Sequence, residues 1–212
     1  MATRYRIHPN NPQLRQIESI VDQLHRGAVM LYPTDTVYAI GCDINNKEGQ
    51  ERIRKIRNLP DDKPLTFVAS SLSNISEYSH ISDEAYQLLR RLIPGPFTFI
   101  LPASKLVPKL CLNPKRKTTG IRVPDNLICQ IIIKELGNPI ISMAAKHPTL
   151  PEPETVDELF GQFENLVDII IDDESEFILP AEQHYSTMID FTMETPTITR
   201  EGIGLELVLK YL

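Results

Sequence analysis

Short apolar runs alternate with segments of helical period along this chain, and no long linker interrupts them. That alternation argues for a single α/β domain spanning 1–212, built on a mixed or partly parallel sheet flanked by helices. The strand-like runs lie at 28–31, 65–69, 97–101, 120–123, 139–143, 166–171, 186–190 and 197–200. Between them, Asn11-Pro12 reads as a cap and first-turn proline for a helix whose stripe is Leu14, Ile17, Val21 and Leu24. Asn46 and Ser82 read as caps of helices over 47–58 and 82–92, and Gly137 ends one over 125–136. Thr155 and Glu158 have capping-box spacing.

One junction differs from a plain turn. The run 28–31 is stopped by Pro33, which has no N–H for a sheet ladder. Thr34, Asp35, Thr36 and Tyr38 follow at once. A strand ending in small polar groups is how α/β proteins present a site at a sheet edge, and it is equally how two strands are joined by a turn.

Bulk properties exclude several classes. No run of 18 apolar residues exists, so no membrane span is expected, and the N-terminus lacks the apolar core of a signal peptide. Cys42, Cys111 and Cys129 are widely spaced, and the five histidines are scattered. Neither a disulfide framework nor a protein-held metal is expected, and a reducing cytoplasm is. The net charge of −6 hides a segregation. From Ser104 to Arg122 there are six Lys or Arg and no acid; from Glu152 to Glu176 there are ten Asp or Glu and no Lys or Arg. Such segregation suggests a basic face that meets an anion, against the plainer reading of a solvated loop.

Polar residues also interrupt the apolar runs: Thr98, Arg122, Ser142, Ser186, Thr187 and Arg200. A buried threonine needs only a backbone carbonyl, so each hydroxyl alone reads as structural. Two arginines at sheet positions need an anion or a carboxylate beside them. No Walker A, G-x-G-x-x-G or G-x-S-x-G motif is present. The residues by themselves therefore lead to an anion or nucleotide pocket at a sheet edge.

Seven segments in order then carry a resemblance: Tyr32-Pro-Thr-Asp-Thr-Val-Tyr38, Pro60-Asp-Asp-Lys-Pro-Leu65, Pro94-Gly-Pro-Phe-Thr-Phe-Ile-Leu101, Gly120-Ile-Arg-Val-Pro-Asp125, Pro139-Ile-Ile-Ser142, Ser186-Thr-Met-Ile-Asp190 and Ile198-Thr-Arg-Glu-Gly202. Together they resemble the YrdC/YciO family of threonylcarbamoyl-adenylate synthases, most of all its YciO branch. The resemblance implies a twisted sheet, a concave basic face and a nucleotidyltransfer reaction. ATP, L-threonine and bicarbonate give threonylcarbamoyl-AMP and pyrophosphate, for modification of a tRNA adenosine. ATP would bring Mg²⁺ with it. It implies Arg57, Lys63 and Arg122 as catalytic groups, with Arg122 on the threonine carboxylate or a phosphate. Thr34, Thr36, Ser142, Ser186 and Thr187 would bind substrate, and Arg54, Thr98 and Arg200 the ATP phosphates.

The sequence departs from the family's usual synthase pattern at four places. The second cation of Lys-x-Arg is Leu59, with Arg54 or Lys55 as the expected substitute; a usual His is Val68, a usual Asn is Ala144, and a usual Gly is Ala39. Losing a phosphate cation or a polar donor costs ~2–4 kcal/mol in a transition state. The alternative is a paralogue that binds tRNA or double-stranded RNA with little or no synthase activity, using Lys115, Arg116 and Lys117. A purely structural reading requires acidic partners for Arg122 and Arg200 within the protein.

Overall fold

A computed structural model describes residues 1–60, 62–174 and 184–212. Among the described residues ten strands form one mixed, open sheet. Numbered along the chain, they lie in the spatial order β1 (Thr3–Arg6), β8 (Ile169–Asp172), β2 (Met30–Tyr32), β3 (Ala39–Asp43), β7 (Ile140–Ala144), β4 (Thr66–Val68), β6 (Thr118–Arg122), β5 (Phe97–Pro102), β9 (Thr187–Asp190) and β10 (Thr197–Arg200). The pairs β1/β8, β2/β8, β4/β6 and β5/β9 are parallel, and the other five are antiparallel. The helices are α1 (Leu14–His25), α2 (Lys47–Ile56), α3 (Leu72–Tyr78), α4 (Asp83–Leu92), α5 (Leu127–Leu136), α6 (Val156–Phe163) and α7 (Leu205–Leu209). Among the described residues no helix is long and apolar enough to cross a membrane.

Strand side chains alternate between faces, so each strand presents two different surfaces. Phe67, Ile121, Phe99 and Ile189 are register neighbours across β4, β6, β5 and β9. They join one core with Ile53 and Ile56 of α2, Leu88, Leu89 and Leu92 of α4, and Leu159, Phe160 and Phe163 of α6. The second core lies on the opposite face of the sheet. There Met30, Tyr32, Ala39, Val68, Ile140, Ile169 and Ile171 pack under α1 and α5. Helix cover on this second side stops at Val68. The next residues in register on that side are Arg122, Thr98, Met188 and Arg200. Polar residues interrupt the strand sequences because half of one sheet face has no helix over it.

The predicted caps at Asn46, Ser82 and Thr155 form: each side chain accepts from the backbone N–H three residues on, at 2.6–3.2 Å. Gly137 takes the left-handed C-cap with φ 71°. The first helix differs from expectation. It begins at Leu14 after Gln13, with no side-chain cap, and the Asn11 backbone N–H closes an earlier turn onto the His8 carbonyl. Its buried stripe is Ile17, Ile20, Val21 and Leu24, while Leu14 is exposed. The polar edge strand β1 and the short α3 carry no apolar run to mark them, and the sequence reading passed over both.

Candidate functional site

The uncovered half of the sheet face forms the floor of a cavity of about 510 Å³, within the ~300–1,000 Å³ typical of small-molecule sites. Ser142, Thr66, Gly120, Thr98, Met188 and Arg200 cross the floor from β7 to β10. A Cβ at Gly120 would stand 2.8 Å from Cγ2 of Thr66, so glycine keeps the centre of the floor low. The walls include Thr34 and Thr36 from the β2–β3 connection, Arg57 beyond α2, and Lys63.

Charge is distributed unevenly in the cavity. Arg57, Lys63, Arg116, Arg122 and Arg200 line it, and among the described lining residues there is no Asp or Glu. The five cations fall into two groups. Arg122 and Arg116 are neutralised from behind. Arg122 pairs with Asp35, donates to Thr36 Oγ1 at 2.8 Å and reaches the Gly95 carbonyl at 3.3 Å, with its side chain 11% exposed. It thereby ties the 33–38 loop to β6. Arg116 pairs with Asp190 and donates to Thr192, both at 2.6 Å.

Arg57 and Arg200 have no carboxylate partner among the described residues. Arg57 donates to the Lys146 carbonyl, and its buried Nε meets no acceptor there. Arg200 donates to the Ser186 carbonyl at 3.1 Å and to Ser186 Oγ at 2.9 Å, and lies 5.2 Å from the Tyr185 ring centre. Burial pushes both guanidinium groups below their ordinary value, with Tyr185 opposing it in each case. A desolvated guanidinium without a counter-charge is an anion site awaiting its anion. Lys63 adds an exposed charge.

The hydroxyls are arranged as donors around these charges. Thr98 and Ser186 share a hydrogen bond of 2.7 Å. Thr34 Oγ1 donates to the Val37 carbonyl at 2.7 Å and accepts from the Thr36 amide at 3.1 Å, which fixes the loop. Ser142 Oγ accepts from the Tyr32 phenol at 2.7 Å.

Of the residues singled out from the sequence, Thr34, Thr36, Arg57, Lys63, Thr98, Arg116, Arg122, Ser142, Ser186 and Arg200 come together around this one cavity. Four do not line it. Arg54 turns to the carbonyls of Pro60 and Lys63 and braces the loop that carries Lys63. Thr187 is buried and donates to the Ile203 carbonyl at 2.8 Å, because the residue after Ser186 must face the opposite side of its strand. Lys115 and Lys117 are exposed on the 113–118 turn. The purely structural reading is met at Arg122, through Asp35, and is not met at Arg200 among the described residues. The lining residues Thr66, Asn113, Tyr185 and Met188 escaped the sequence reading. Thr66 alone carried the signal used for Thr98, a hydroxyl inside an apolar run. At the four positions of departure, Leu59 packs on the first core, while Ala39, Val68 and Ala144 are apolar parts of the cavity lining.

Comparison with known proteins agrees with this fold. The family model Sua5_yciO_yrdC, described as telomere recombination, matches residues 22–202. YciO of Escherichia coli (strain K12), an uncharacterised protein, is 40% identical over 208 residues, covering 96% of this chain and 97% of that one. The crystal structure of E. coli YciO superposes with a TM-score of 0.86 at 39% identity, over 96% of this chain and 97% of that chain. A threonylcarbamoyl-AMP synthase of Vibrio vulnificus (strain YJ016) is 30% identical over 158 residues, 73% of this chain and 84% of its own. The crystal structure of P. abyssi Sua5 complexed with L-threonine has a TM-score of 0.87 and 25% identity; it covers all of this chain, which spans 61% of that one.

Proposed function

The chain belongs to the Sua5/YciO/YrdC family, and from that premise we propose that its cavity binds ATP together with L-threonine or a closely similar amino acid and forms the carbamoyl adenylate. The observation that carries this reading is the pair of desolvated guanidinium groups, Arg57 and Arg200, in a cavity whose described lining has five cations and no carboxylate. The L-threonine complex of Sua5 and the synthase activity named for the Vibrio relative supply the substrates.

The chemistry follows from the positions. The amine of the amino acid and bicarbonate give a carbamate and water. A carbamate oxygen then attacks the α-phosphorus of ATP, the bond from that phosphorus to the bridging oxygen breaks, and pyrophosphate leaves with the electron pair. The protein needs no nucleophile of its own; it must hold the two anions in line and neutralise the charge that develops. Arg57, Lys63 and Arg200 supply the charge, Ser142 supplies an oriented donor, and the Thr98–Ser186 pair supplies one more. Arg122 acts as a positioning residue through the 33–38 loop, which presents Thr34 and Thr36 to the amino acid. Among the described residues no cluster of three or more His, Cys, Asp or Glu could hold a metal. Mg²⁺ would arrive with ATP, on its phosphate oxygens.

Incubation with ATP, threonine and labelled bicarbonate tests the reading directly. Label is expected in an adenylate with equimolar pyrophosphate. ATP binding without any such product would restrict the function to nucleotide recognition, and the absence of both would overturn it. The RNA-binding reading has less support, because Arg116 is already held by Asp190 and the chain carries a net charge of −6. It predicts tRNA affinity that falls steeply with salt and drops when Lys115 and Lys117 are neutralised.

A further inference from the structure

The hydrogen bond between Tyr32 and Ser142 crosses an entire strand. Tyr32 lies on β2 opposite Ala39, and Ser142 lies on β7 opposite Gly41, with β3 between them. The Tyr32 ring passes over β3 at Gly41. A Cβ added there would stand 2.9 Å from Tyr32 Cε1, 2.8 Å from Ile140 Cγ2 and 2.4 Å from the Ile141 carbonyl oxygen. Glycine at 41 thus leaves the channel through which the phenol reaches the cavity floor, ending 2.7 Å from Ser142 Oγ. Tyr32 is fully buried and belongs to the core under α1 and α5, away from the cavity lining.

A phenol has one hydrogen to give, and Tyr32 gives it to Ser142. Burial pushes the phenol up, so it stays protonated at any working pH. Ser142 Oγ thereby has an acceptor lone pair occupied. Its own hydrogen meets no acceptor among the described residues, and the group opens onto the cavity. A serine held this way serves a ligand as a donor.

We infer that Tyr32 is a positioning residue of the cavity, fixing the Ser142 hydroxyl through the Gly41 gap as a dedicated donor to a carboxylate or phosphate oxygen. This rests on the anion-binding reading given above. A tyrosine satisfied by Ser142 for stability alone would leave ligand affinity untouched, and the two roles separate in a double-mutant cycle. The variants are Tyr32→Phe, Ser142→Ala and both together, and the probes are Mg-ATP and inorganic pyrophosphate, followed by calorimetry beside thermal melts.

Each single variant is expected to weaken binding about three- to tenfold, the worth of one hydrogen bond, and the double variant to be no weaker than Ser142→Ala alone. Wild-type affinity in Tyr32→Phe, or losses that multiply in the double variant, would overturn the inference while leaving anion binding intact. Failure of the unaltered protein to bind either probe would overturn both readings. A measurement that keeps the phenol guards against a misfolded Phe variant. With 3-fluorotyrosine at position 32, the fluorine resonance is expected to shift when pyrophosphate is added, and to stay still in Ser142→Ala; a resonance that ignores pyrophosphate in both proteins counts against the inference.

Discussion

The two halves of one sheet face have opposite fates. At the end formed by β8, β2, β3 and β7, Met30, Ile140, Ile169 and Ile171 are sealed by α1 and α5 and are fully buried. A few strands away, on the same side, Thr66, Thr98, Arg122 and Arg200 face a cavity. Backbone geometry is alike in both halves, and what differs is the presence of a helix overhead. The covered half stabilises the fold by removing apolar area from water, at about 25 cal/mol per Å². The open half holds the desolvated guanidinium groups of Arg57 and Arg200, at a cost in stability. The proposed site lies where the sheet face has no helix over it.

Four substitutions would break or sharpen that contrast. The largest effect belongs to the sealed side of a cavity strand. Phe99→Ala, at a fully buried ring directly beside Thr98, is expected to cost ~3–5 kcal/mol in urea unfolding; a loss below 1 kcal/mol would mean the two faces of β5 are not as distinct as described. Next is the tie between loop and floor. Asp35→Ala leaves Arg122 buried without its carboxylate and should cost ~3 kcal/mol, with ligand affinity falling as the loop loosens; unchanged unfolding would show the pair to be dispensable.

Arg57→Met tests the open half from the other direction. Removing a desolvated guanidinium whose Nε has no partner should leave the melting temperature equal or higher. Affinity for Mg-ATP should drop about tenfold or more, the ~1.4 kcal/mol of a lost charge-assisted hydrogen bond. A stability loss with affinity intact would reverse the assignment.

The smallest effect is expected at Asp190→Asn. Burial raises the Asp190 carboxyl, but hydrogen bonds from Thr192 and Arg116 outweigh it and hold the group below its ordinary value. Its contribution is therefore present above the unfolded carboxylate value of about 3.9 and is lost as pH falls through the lower folded one. The Asn variant should be less stable by ~1 kcal/mol or less at pH 7, and the gap should close below pH 4. A gap that widens in acid would contradict the sign.

Much of this was legible in order along the chain. Asn46, Ser82, Thr155 and Gly137 marked their helix ends because caps are local chemistry, settled within three or four residues. The hydroxyls and arginines inside apolar runs gave away the cavity because strand period is strict: Thr98 beside Phe99 must face the opposite way. Arg54 and Thr187 were assigned to the site and lie outside it. Arg54 answers to loop carbonyls, and strand parity turns Thr187 away from the cavity. Asp35 was read as part of a polar stretch, and its partner Arg122 lies 87 residues away.

The sequence alone determined the α/β class, the element ends set by caps and prolines, and the set of polar residues that break the apolar pattern. These rest on interactions within a few residues, which composition and spacing record. The tertiary structure decided which cations have a carboxylate partner among the described residues and which do not. It also decided that Tyr32 reaches Ser142 across Gly41. Both outcomes depend on side chains from strands far apart in the chain meeting at distances near 3 Å, and no local pattern encodes that meeting.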